Sequence, residues 1–401
     1  MAASLSHRAQ HLPASAIRRL VPLAVEAKAR GLHVHHLNIG QPDVRSPELV
    51  GETLRSYDQP LVAYTMSRGE PAYVDVLRAY YAGYGVTLSR DEINVTSGGS
   101  EALLFALLAI LDPGDEVVSP EPYYTNYTTF AQMAGGRVVP VTTTLDEGFR
   151  LPPLERLEAA LTPRTRAILL CNPSNPTGVV YTRAELEAVA ALCEARDLWL
   201  IVDEVYREFV FAPSAETCRT ALTLERHAER VIIIDSLSKR YSMCGARIGC
   251  VVSRHAGLMR ALLRLSDARL SPPALGQWVA THAHGAPQDY LDHAVETYRA
   301  RRDLAWAKLQ EIPGARAVLP DGAFYMMVRL PVQDTLHFGS WLLTDFSRDG
   351  ETVMVAPGGG FYATPGLGHD EVRLAFVIDL PPLARAMDLL REALAVYPGA
   401  P

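Results

Sequence analysis

The sequence predicts an α/β protein: a large domain with a mostly parallel central sheet flanked by helices, plus a smaller α/β domain. Three observations predict this. Short apolar runs alternate with helical stretches between residues 50 and 285, as in βαβ units on a parallel sheet. The pattern then changes to a long charged helix around 295–311. Polar residues follow several strand runs directly, at the place where open α/β sheets bind ligands.

The βαβ pattern is clearest in the middle of the chain. Strands are predicted over 166–171 and 198–202, with a helix over 182–196 between them. Thr182 and Glu185 form a capping box, which marks where that helix begins. The other predicted elements are a helix over 101–111 and strands over 231–235, 250–253 and 371–378.

The domain boundaries follow from these elements. We predict an N-terminal arm with part of the small domain over 1–45, a large ligand-binding domain over 46–285 and a small C-terminal domain over 286–401. A chain of 401 residues, 48% hydrophobic and 21% charged, has enough apolar residues for about two such domains.

Composition excludes several classes of function. A net charge of -7 without a basic run argues against nucleic acid as a partner. The longest apolar stretch, 102–111, is shorter than the roughly 20 residues of a membrane span. Five cysteines without paired metal spacing indicate reduced thiols in a cytoplasmic protein, and we expect Cys244 to fill core space. The histidines of 33–36 lack helical metal spacing, so we expect a surface strand and no metal.

Lys239 is the most informative residue. It lies in Ser-Leu-Ser-Lys-Arg-Tyr-Ser-Met-Cys-Gly-Ala-Arg, residues 236–247, directly after the apolar run 231–234. Most lysines are solvated surface charges. Here, two serines and Arg247 together can hold a phosphate, because hydroxyls donate to its oxygens and a guanidinium makes two parallel hydrogen bonds to them. An amine beside a phosphate site suggests pyridoxal phosphate, bound to the amine as an imine.

Three other segments end predicted strands with polar residues. Gly98-Gly99-Ser100 precedes a helix and offers backbone N–H groups to a phosphate, although a glycine pair alone is more often a tight turn. In the segment 172–178, two prolines present Asn175 rigidly. Asp203 leaves an apolar strand, where a pyridinium nitrogen would be a suitable partner, and Tyr206 follows three residues later.

Together, these segments resemble the class I/II aminotransferases, which are fold-type I pyridoxal-phosphate enzymes similar to the aspartate and aromatic aminotransferases. Tyr64-Thr65 followed by Gly69, and Arg373, add to the resemblance, which covers nearly the whole chain. It implies an amino group transferred from an L-amino acid to a 2-oxo acid by a ping-pong mechanism. It also implies a homodimer.

The resemblance implies a role for each matching residue. Lys239 would bind the cofactor and move the substrate proton, and Asp203 would keep the ring nitrogen protonated. Asn175 and Tyr206 would hydrogen-bond the phenolic oxygen. Arg373 would bind the substrate carboxylate, with Gly40 closing over it. The remaining implied contacts are stacking on the ring by Tyr124 and phosphate binding by Gly99, Ser100, Ser236, Arg247 and Tyr64 of a neighbouring subunit.

The sequence departs from the family pattern beside Lys239. Arg240 stands where many relatives have threonine or asparagine, and Ala246 where they have tryptophan. Ser100 replaces a lysine that reads the distal carboxylate in one aspartate-using subgroup. Arg240 and Arg18 are the candidates to replace that cation, although exposed surface charge is the simpler expectation for both.

Two alternative functions stay open at this point. A lyase, decarboxylase or cyclase of the same fold would use the same cofactor residues. A non-enzymatic regulator would carry an N-terminal helix-turn-helix domain, for which we expect the stretch before Gly40 to be too short.

Overall fold

A seven-stranded sheet with helices on both faces organises the chain. The structure is a computed structural model and describes residues 4–6, 9, 10, 12 and 16–399. The strands of this sheet are β2 (Ile93–Thr96), β3 (Glu116–Glu121), β4 (Arg137–Thr142), β5 (Thr165–Cys171), β6 (Trp199–Asp203), β7 (Val231–Ser236) and β8 (Gly249–Val252), in the order β2-β8-β7-β6-β5-β3-β4.

The sheet is mostly parallel, as predicted. Strands β4, β3, β5, β6 and β7 pair in parallel, and β8 pairs antiparallel with both β7 and β2. Strand β2 therefore runs in the same direction as β7. Parallel strands covered on both faces are mostly apolar, and every residue of β7 is buried, with apolar side chains from Val231 to Ile234. The carboxyl ends of β2, β5, β6 and β7 consequently meet at one edge.

Two smaller sheets involve the C-terminal part of the chain. Strand β1 (His33–His36) pairs in parallel with β11 (Glu351–Met354). The second sheet is antiparallel, in the order β12-β13-β10-β9, and is built from β9 (Arg316–Ala317), β10 (Tyr325–Arg329), β12 (Ala356–Pro357) and β13 (Glu371–Ala375). The division at residues 45 and 285 stays a prediction. The pairing of β1 with β11 supports the idea that the N-terminal segment belongs to the smaller domain.

Helices cover these sheets. They are α1 (Val21–Ala29), α2 (Glu48–Arg55), α3 (Pro71–Ala82), α4 (Gly98–Ile110), α5 (Asn126–Met133), α6 (Leu154–Ala159), α7 (Arg183–Ala195), α8 (Leu237–Arg240), α9 (Ala256–Arg269), α10 (Ala274–Ala283), α11 (Gln288–Gln310), α12 (Thr335–Thr344) and α13 (Leu380–Val396). Helix α7 begins at the predicted capping box, in which Thr182 Oγ1 accepts from Glu185 N and the Glu185 side chain accepts from Thr182 N.

Short 3₁₀ turns join several of these elements, at Ala16–Arg18, Arg90–Glu92, Ala221–Thr223, Glu225–Arg230, Cys244–Ala246 and Gly358–Phe361. Within the described part of the chain, no helix is both long and apolar enough to cross a membrane.

Candidate active site

A cavity of about 830 Å³ lies at the carboxyl edge of the large sheet. Residues from the N-terminal segment, the large sheet and β13 line it together. Of the twelve predicted site residues, eleven line this cavity: Gly40, Gly99, Ser100, Tyr124, Asn175, Asp203, Tyr206, Ser236, Lys239, Arg247 and Arg373. Their chemical roles stay predictions.

Lys239 lies on the short helix α8, which follows β7 directly. Its Nζ donates to the carbonyl oxygen of Gly40 at 2.7 Å and lies 5.8 Å from the centre of the Tyr206 ring. Ser236 fixes the start of this turn, because its Oγ accepts from Ser238 N and donates to the carbonyl of Ile248. The amine is thus held inside the cavity by its hydrogen bond to Gly40, at the end of a turn that Ser236 fixes.

Asp203, at the end of β6, is buried. Tyr127 Oη donates to its Oδ2 at 2.8 Å, and Val205 N donates to its Oδ1 at 3.3 Å. Burial raises the pKa of Asp203 to about 6, although both hydrogen bonds stabilise the charged form. A buried carboxylate without a cationic partner is costly, so this position suits a protonated ring nitrogen.

The glycine turn before α4 lies beside Arg247. Gly98 has a φ of +80°, and a methyl group there would overlap the Arg247 guanidinium. A methyl group at Gly99 would contact Val205 and Ser236, so the backbone approaches the cavity closely. Helix α4 begins here with its N–H groups next to Ser236 and Arg247, a combination that suits a phosphate.

Tyr206 and Tyr325 form one wall of the cavity. Their hydroxyl oxygens lie 2.7 Å apart, and burial raises the pKa of Tyr206. Tyr124 lines the same cavity, accepts from Asn126 Nδ2 at 2.9 Å, and has its pKa raised by burial to about 12. Tyr206 and Tyr124 therefore stay protonated at neutral pH and can donate hydrogen bonds.

Arg373 lies on β13 and is buried. Its Nη1 donates to Asn175 Oδ1 at 3.0 Å and its Nη2 to the carbonyl of Asn38 at 2.6 Å. Its Nε is buried without a hydrogen-bond partner among the described residues. Burial lowers the pKa of Arg373, because the charged guanidinium loses its hydration inside the protein. A buried guanidinium of this kind favours an incoming carboxylate.

Tyr64 is the predicted site residue that lies outside the cavity. It is 81% exposed and lines a separate groove with Arg269 and Pro272. Within this chain it therefore has no access to the cavity. The prediction that it reaches a neighbouring subunit stays a prediction.

The structure corrects the expectation for Arg240. We expected exposed surface charge, yet Arg240 is buried, donating from Nε to Glu208 and from Nη2 to Asp235. Its guanidinium is occupied by these carboxylates and does not line the cavity. Arg18 does line it and is itself exposed, at the end of the 3₁₀ turn Ala16–Arg18.

Two other expectations were wrong. Cys244 does not fill core space: it is partly buried, lines the cavity and donates to the carbonyl of Ser238 at 3.0 Å. Residues 33–36 do form a strand, but His35 is buried and contacts Glu351 at 3.1 Å. Among the described residues, no cluster of histidine, cysteine and acidic side chains has the arrangement of a metal site.

Three residues at the site escaped the sequence analysis. Tyr325, Tyr127 and Asn126 contact Tyr206, Asp203 and Tyr124, respectively. Tyr127 and Asn126 carry a weak signal, since they follow Tyr124 within one helical turn. Tyr325 begins a strand of a different sheet, and nothing in its local sequence points to the cavity.

Comparisons with known proteins identify the class to which this fold and site belong. The aspartate aminotransferase of Thermus thermophilus, solved with maleate, superposes with a TM-score of 0.88 at 31% identity, covering 98% of this chain and 100% of that one. An alanine aminotransferase of Pyrococcus furiosus superposes equally well, at 0.88 and 29% identity over 98% of this chain and 100% of the other. The fold is that of the fold-type I aminotransferases.

The sequence comparisons agree. The family model for aminotransferase class I and II matches residues 33–376. The aspartate aminotransferase of Geobacillus stearothermophilus is 30% identical over 97% of this chain and 98% of its own length. The aspartate/prephenate aminotransferase of Thermus thermophilus is 32% identical over 97% and 98%. The chain belongs to the class I and II aminotransferases and is an aminotransferase enzyme.

Proposed function

We propose that the cavity binds pyridoxal 5'-phosphate through Lys239 and transfers an amino group from an L-amino acid to a 2-oxo acid by a ping-pong mechanism. One observation carries this proposal: the Lys239 amine, the Asp203 carboxylate, and Gly99 and Ser100 of the glycine turn line one cavity. A lysine nucleophile, an acid for a ring nitrogen and a phosphate cradle are the three groups that this cofactor requires.

Each part of the cavity suits one part of the cofactor. Pyridoxal phosphate, when bound, supplies an electron-withdrawing ring that stabilises negative charge at the substrate α-carbon. Asp203 would keep the ring nitrogen protonated, because a buried carboxylate and a buried pyridinium each stabilise the charge of the other. Tyr206 and Asn175 would donate to the phenolic oxygen, and Tyr124 would stack on the ring. Ser100, Ser236 and Arg247, with the Gly99 N–H, would hold the phosphate.

Arg373 binds and orients the amino acid. Its guanidinium is already held by Asn175 and Asn38, so little conformational freedom is lost when a carboxylate binds. Lys239 then accepts the proton from the α-carbon. Gly40, whose carbonyl holds the lysine amine, covers this part of the cavity.

The side-chain end of the cavity favours dicarboxylic amino acids. Of the four described cations that line the cavity, Lys239, Arg247 and Arg373 have roles above, and Arg18 remains for a distal carboxylate. Two relatives are an aspartate aminotransferase and an aspartate/prephenate aminotransferase, which supports the same class of substrate. Ile17, Val21, Leu103 and Phe130 make the rest of this end apolar, which also suits longer side chains.

We base a proposed homodimer on an exposed apolar patch and a proposed cytoplasmic location on the cysteines. Leu61, Val62, Tyr64 and Met66 are exposed apolar side chains within one short segment. Such a patch marks a protein interface, and a homodimer would place Tyr64 against a neighbouring phosphate site. We place the enzyme in the cytoplasm because all five cysteines are free.

The decisive test is the half-reaction of the purified protein. A lysine-bound cofactor absorbs in the visible range, and an L-amino acid should convert it to the pyridoxamine form with release of the 2-oxo acid. Lys239→Ala should abolish the visible absorbance and the turnover. A lyase, decarboxylase or cyclase would instead leave the cofactor in its original form. Wild-type absorbance or turnover in Lys239→Ala would contradict the proposal.

A further inference from the structure

Five charged side chains lie buried beside the cavity without lining it. We call them the buried charge cluster: two arginines, Arg207 and Arg240, and three acids, Glu204, Glu208 and Asp235. Each is at most 8% exposed. None has a role in the function proposed above.

Arg240 is at the centre of the buried charge cluster. Its Nη2 donates to both oxygens of Asp235, at 3.0 and 2.9 Å, and its Nε donates to Glu208 Oε1 at 3.1 Å. The guanidinium also lies 3.9 Å from the centre of the Tyr80 ring. The planar guanidinium donates from two nitrogen atoms and can make these three hydrogen bonds at once, whereas an ammonium group donates from a single nitrogen atom.

Asp235 connects the two ends of the turn that carries Lys239. Its Oδ1 accepts from the backbone N–H of Ser236 at 2.7 Å, and both of its oxygens accept from Arg240. Residues 236 and 240 enclose Lys239 in the chain. One carboxylate therefore fixes the backbone before the lysine and the side chain immediately after it.

The cluster also reaches the segment of Asp203 and Tyr206. Arg207 donates to Asp235 Oδ2 from Nη1 at 3.1 Å and to Glu204 Oε2 from Nε at 2.9 Å. Glu204 follows Asp203 in the chain, and Arg207 follows Tyr206. Buried ion pairs therefore connect the turn that carries Lys239 to the segment that carries two proposed cofactor residues, Asp203 and Tyr206.

The charges indicate a positioning role. Buried ion pairs lose so much hydration that an apolar replacement of the same shape often gives equal stability, so stability alone does not require them. Their directional contacts do fix the geometry of the groups they join. Arg240 is also one of the residues at which this sequence leaves the family pattern, and Glu208 and Asp235 are its partners.

We propose that Arg240 is a positioning residue that, through Asp235 and Glu208, fixes the position of the Lys239 turn relative to the Asp203–Tyr206 segment. This inference rests on the proposed function of Lys239. A proton acceptor displaced by about 1 Å loses on the order of 100-fold in rate. Arg240 therefore acts on the reaction through the position of the lysine, without contact to substrate.

The test begins with Arg240→Lys, which keeps the positive charge but replaces the planar guanidinium by an ammonium group. Amide hydrogen exchange of the peptide covering 235–241 is measured in the full-length protein, with and without pyridoxal phosphate. We expect exchange to be about 10-fold faster than in the wild type, because the Asp235 contact to the turn loosens. Glu208→Gln, which removes one of the two acidic partners, should give a smaller increase.

The kinetic arm uses the half-reaction with an α-deuterated amino acid. For Arg240→Lys we expect the rate at saturating amino acid to fall about 10- to 100-fold. The half-saturating concentration should stay within about 2-fold, because Arg373 still binds the carboxylate. The deuterium isotope effect should increase as proton transfer becomes rate-limiting.

Two controls separate positioning from stability. Arg385→Lys alters an arginine on α13 paired with Glu351 and Asp349, and Leu390→Ala weakens the core of the same helix. Neither should change the exchange of 235–241 or the isotope effect. Wild-type exchange and isotope effect in Arg240→Lys, or equal changes in Leu390→Ala, would overturn the proposal. A wild type without a lysine-bound cofactor would overturn the proposed function instead, and exchange in the cofactor-free chain would still decide whether Arg240 holds the turn.

Discussion

The hydroxyl oxygens of Tyr206 and Tyr325 lie 2.7 Å apart and join two sheets across one wall of the cavity. Tyr206 follows β6 of the seven-stranded sheet, and Tyr325 begins β10 of the antiparallel sheet. The Tyr325 ring also lies 4.3 Å from the guanidinium carbon of Arg373. One side chain therefore contacts both the proposed cofactor side and the proposed carboxylate side.

Replacing Tyr325 by phenylalanine should weaken cofactor binding. The variant leaves the buried Tyr206 hydroxyl without its partner, which costs about 1–2 kcal/mol, or roughly 10-fold in the dissociation constant of pyridoxal phosphate. Absorbance titration measures this constant. Tyr397→Phe is the matched control, since Tyr397 also has a buried ring and, within the described part of the chain, its hydroxyl bonds only His337 on α12. Equal affinity in the two variants would contradict the role of Tyr325.

Gly40→Ala should disturb both Lys239 and the part of the cavity near Arg373, where the substrate carboxylate is proposed to bind. A methyl group at Gly40 would overlap the hydroxyl and ring of Tyr325, so one of the two must move. We expect a loss of about 1–3 kcal/mol in the free energy of unfolding and a clear fall in the half-reaction rate. Gly51→Ala on α2 has ordinary space around it and should leave both quantities near the wild-type values. Denaturant unfolding and stopped-flow absorbance measure them.

Asp203→Asn should change how stability depends on pH. The folded chain raises the pKa of Asp203 from 3.8 to about 6, so it binds this proton more tightly than the unfolded chain does. Stability of the cofactor-free protein therefore falls as pH rises from about 4 to 6, a penalty of roughly 2–3 kcal/mol that the variant lacks. The free energy of unfolding of the variant, relative to the wild type, should increase across this window.

Denaturant unfolding at several pH values checks this expectation. Asp91→Asn is the matched control, because it makes the same substitution at a side chain that is 89% exposed. A difference between Asp203→Asn and the wild type that stays constant with pH would contradict the expectation. At neutral pH the same variant should bind pyridoxal phosphate more weakly, because the ring nitrogen loses its anionic partner.

Arg18→Gln should change the choice of amino acid. The variant removes the proposed partner of a distal carboxylate, so the half-reaction with aspartate or glutamate should slow about 10-fold or more. Reaction with alanine should change little. Arg19→Gln is the matched control, because the neighbouring arginine lines a different cavity. Parallel losses with acidic and neutral amino acids in Arg18→Gln would rule out this role.

Much of the central fold could be predicted from the sequence. Strand β7, predicted over 231–235, ends one residue later at Ser236, and β5, predicted from 166, begins at Thr165. These strands are apolar on both faces, so their pattern is unambiguous. Helix α4 begins at Gly98, three residues before the predicted start, so the helix includes the glycine turn that precedes Glu101.

The site was predictable where a motif follows a strand, and not where distant segments meet. Lys239 and Asn175 follow strands of the large sheet and Asp203 ends one, so local sequence marks them. Arg240 was misjudged because its partner Glu208 lies 32 positions away, in the turn that follows β6. Tyr325 depends on the packing of a second sheet, which no local pattern encodes.

The N-terminal segment lines the substrate end of the cavity through Ile17, Arg18, Val21 and Ile39, and none of these side chains is assigned to the cofactor. The cofactor residues come from the strand ends of the large sheet. Amino-acid preference can therefore diverge by exchange of a short stretch of chain, while the chemistry stays intact. A chimaera that takes residues 16–39 from a relative with another preference would inherit that preference on an unchanged catalytic scaffold.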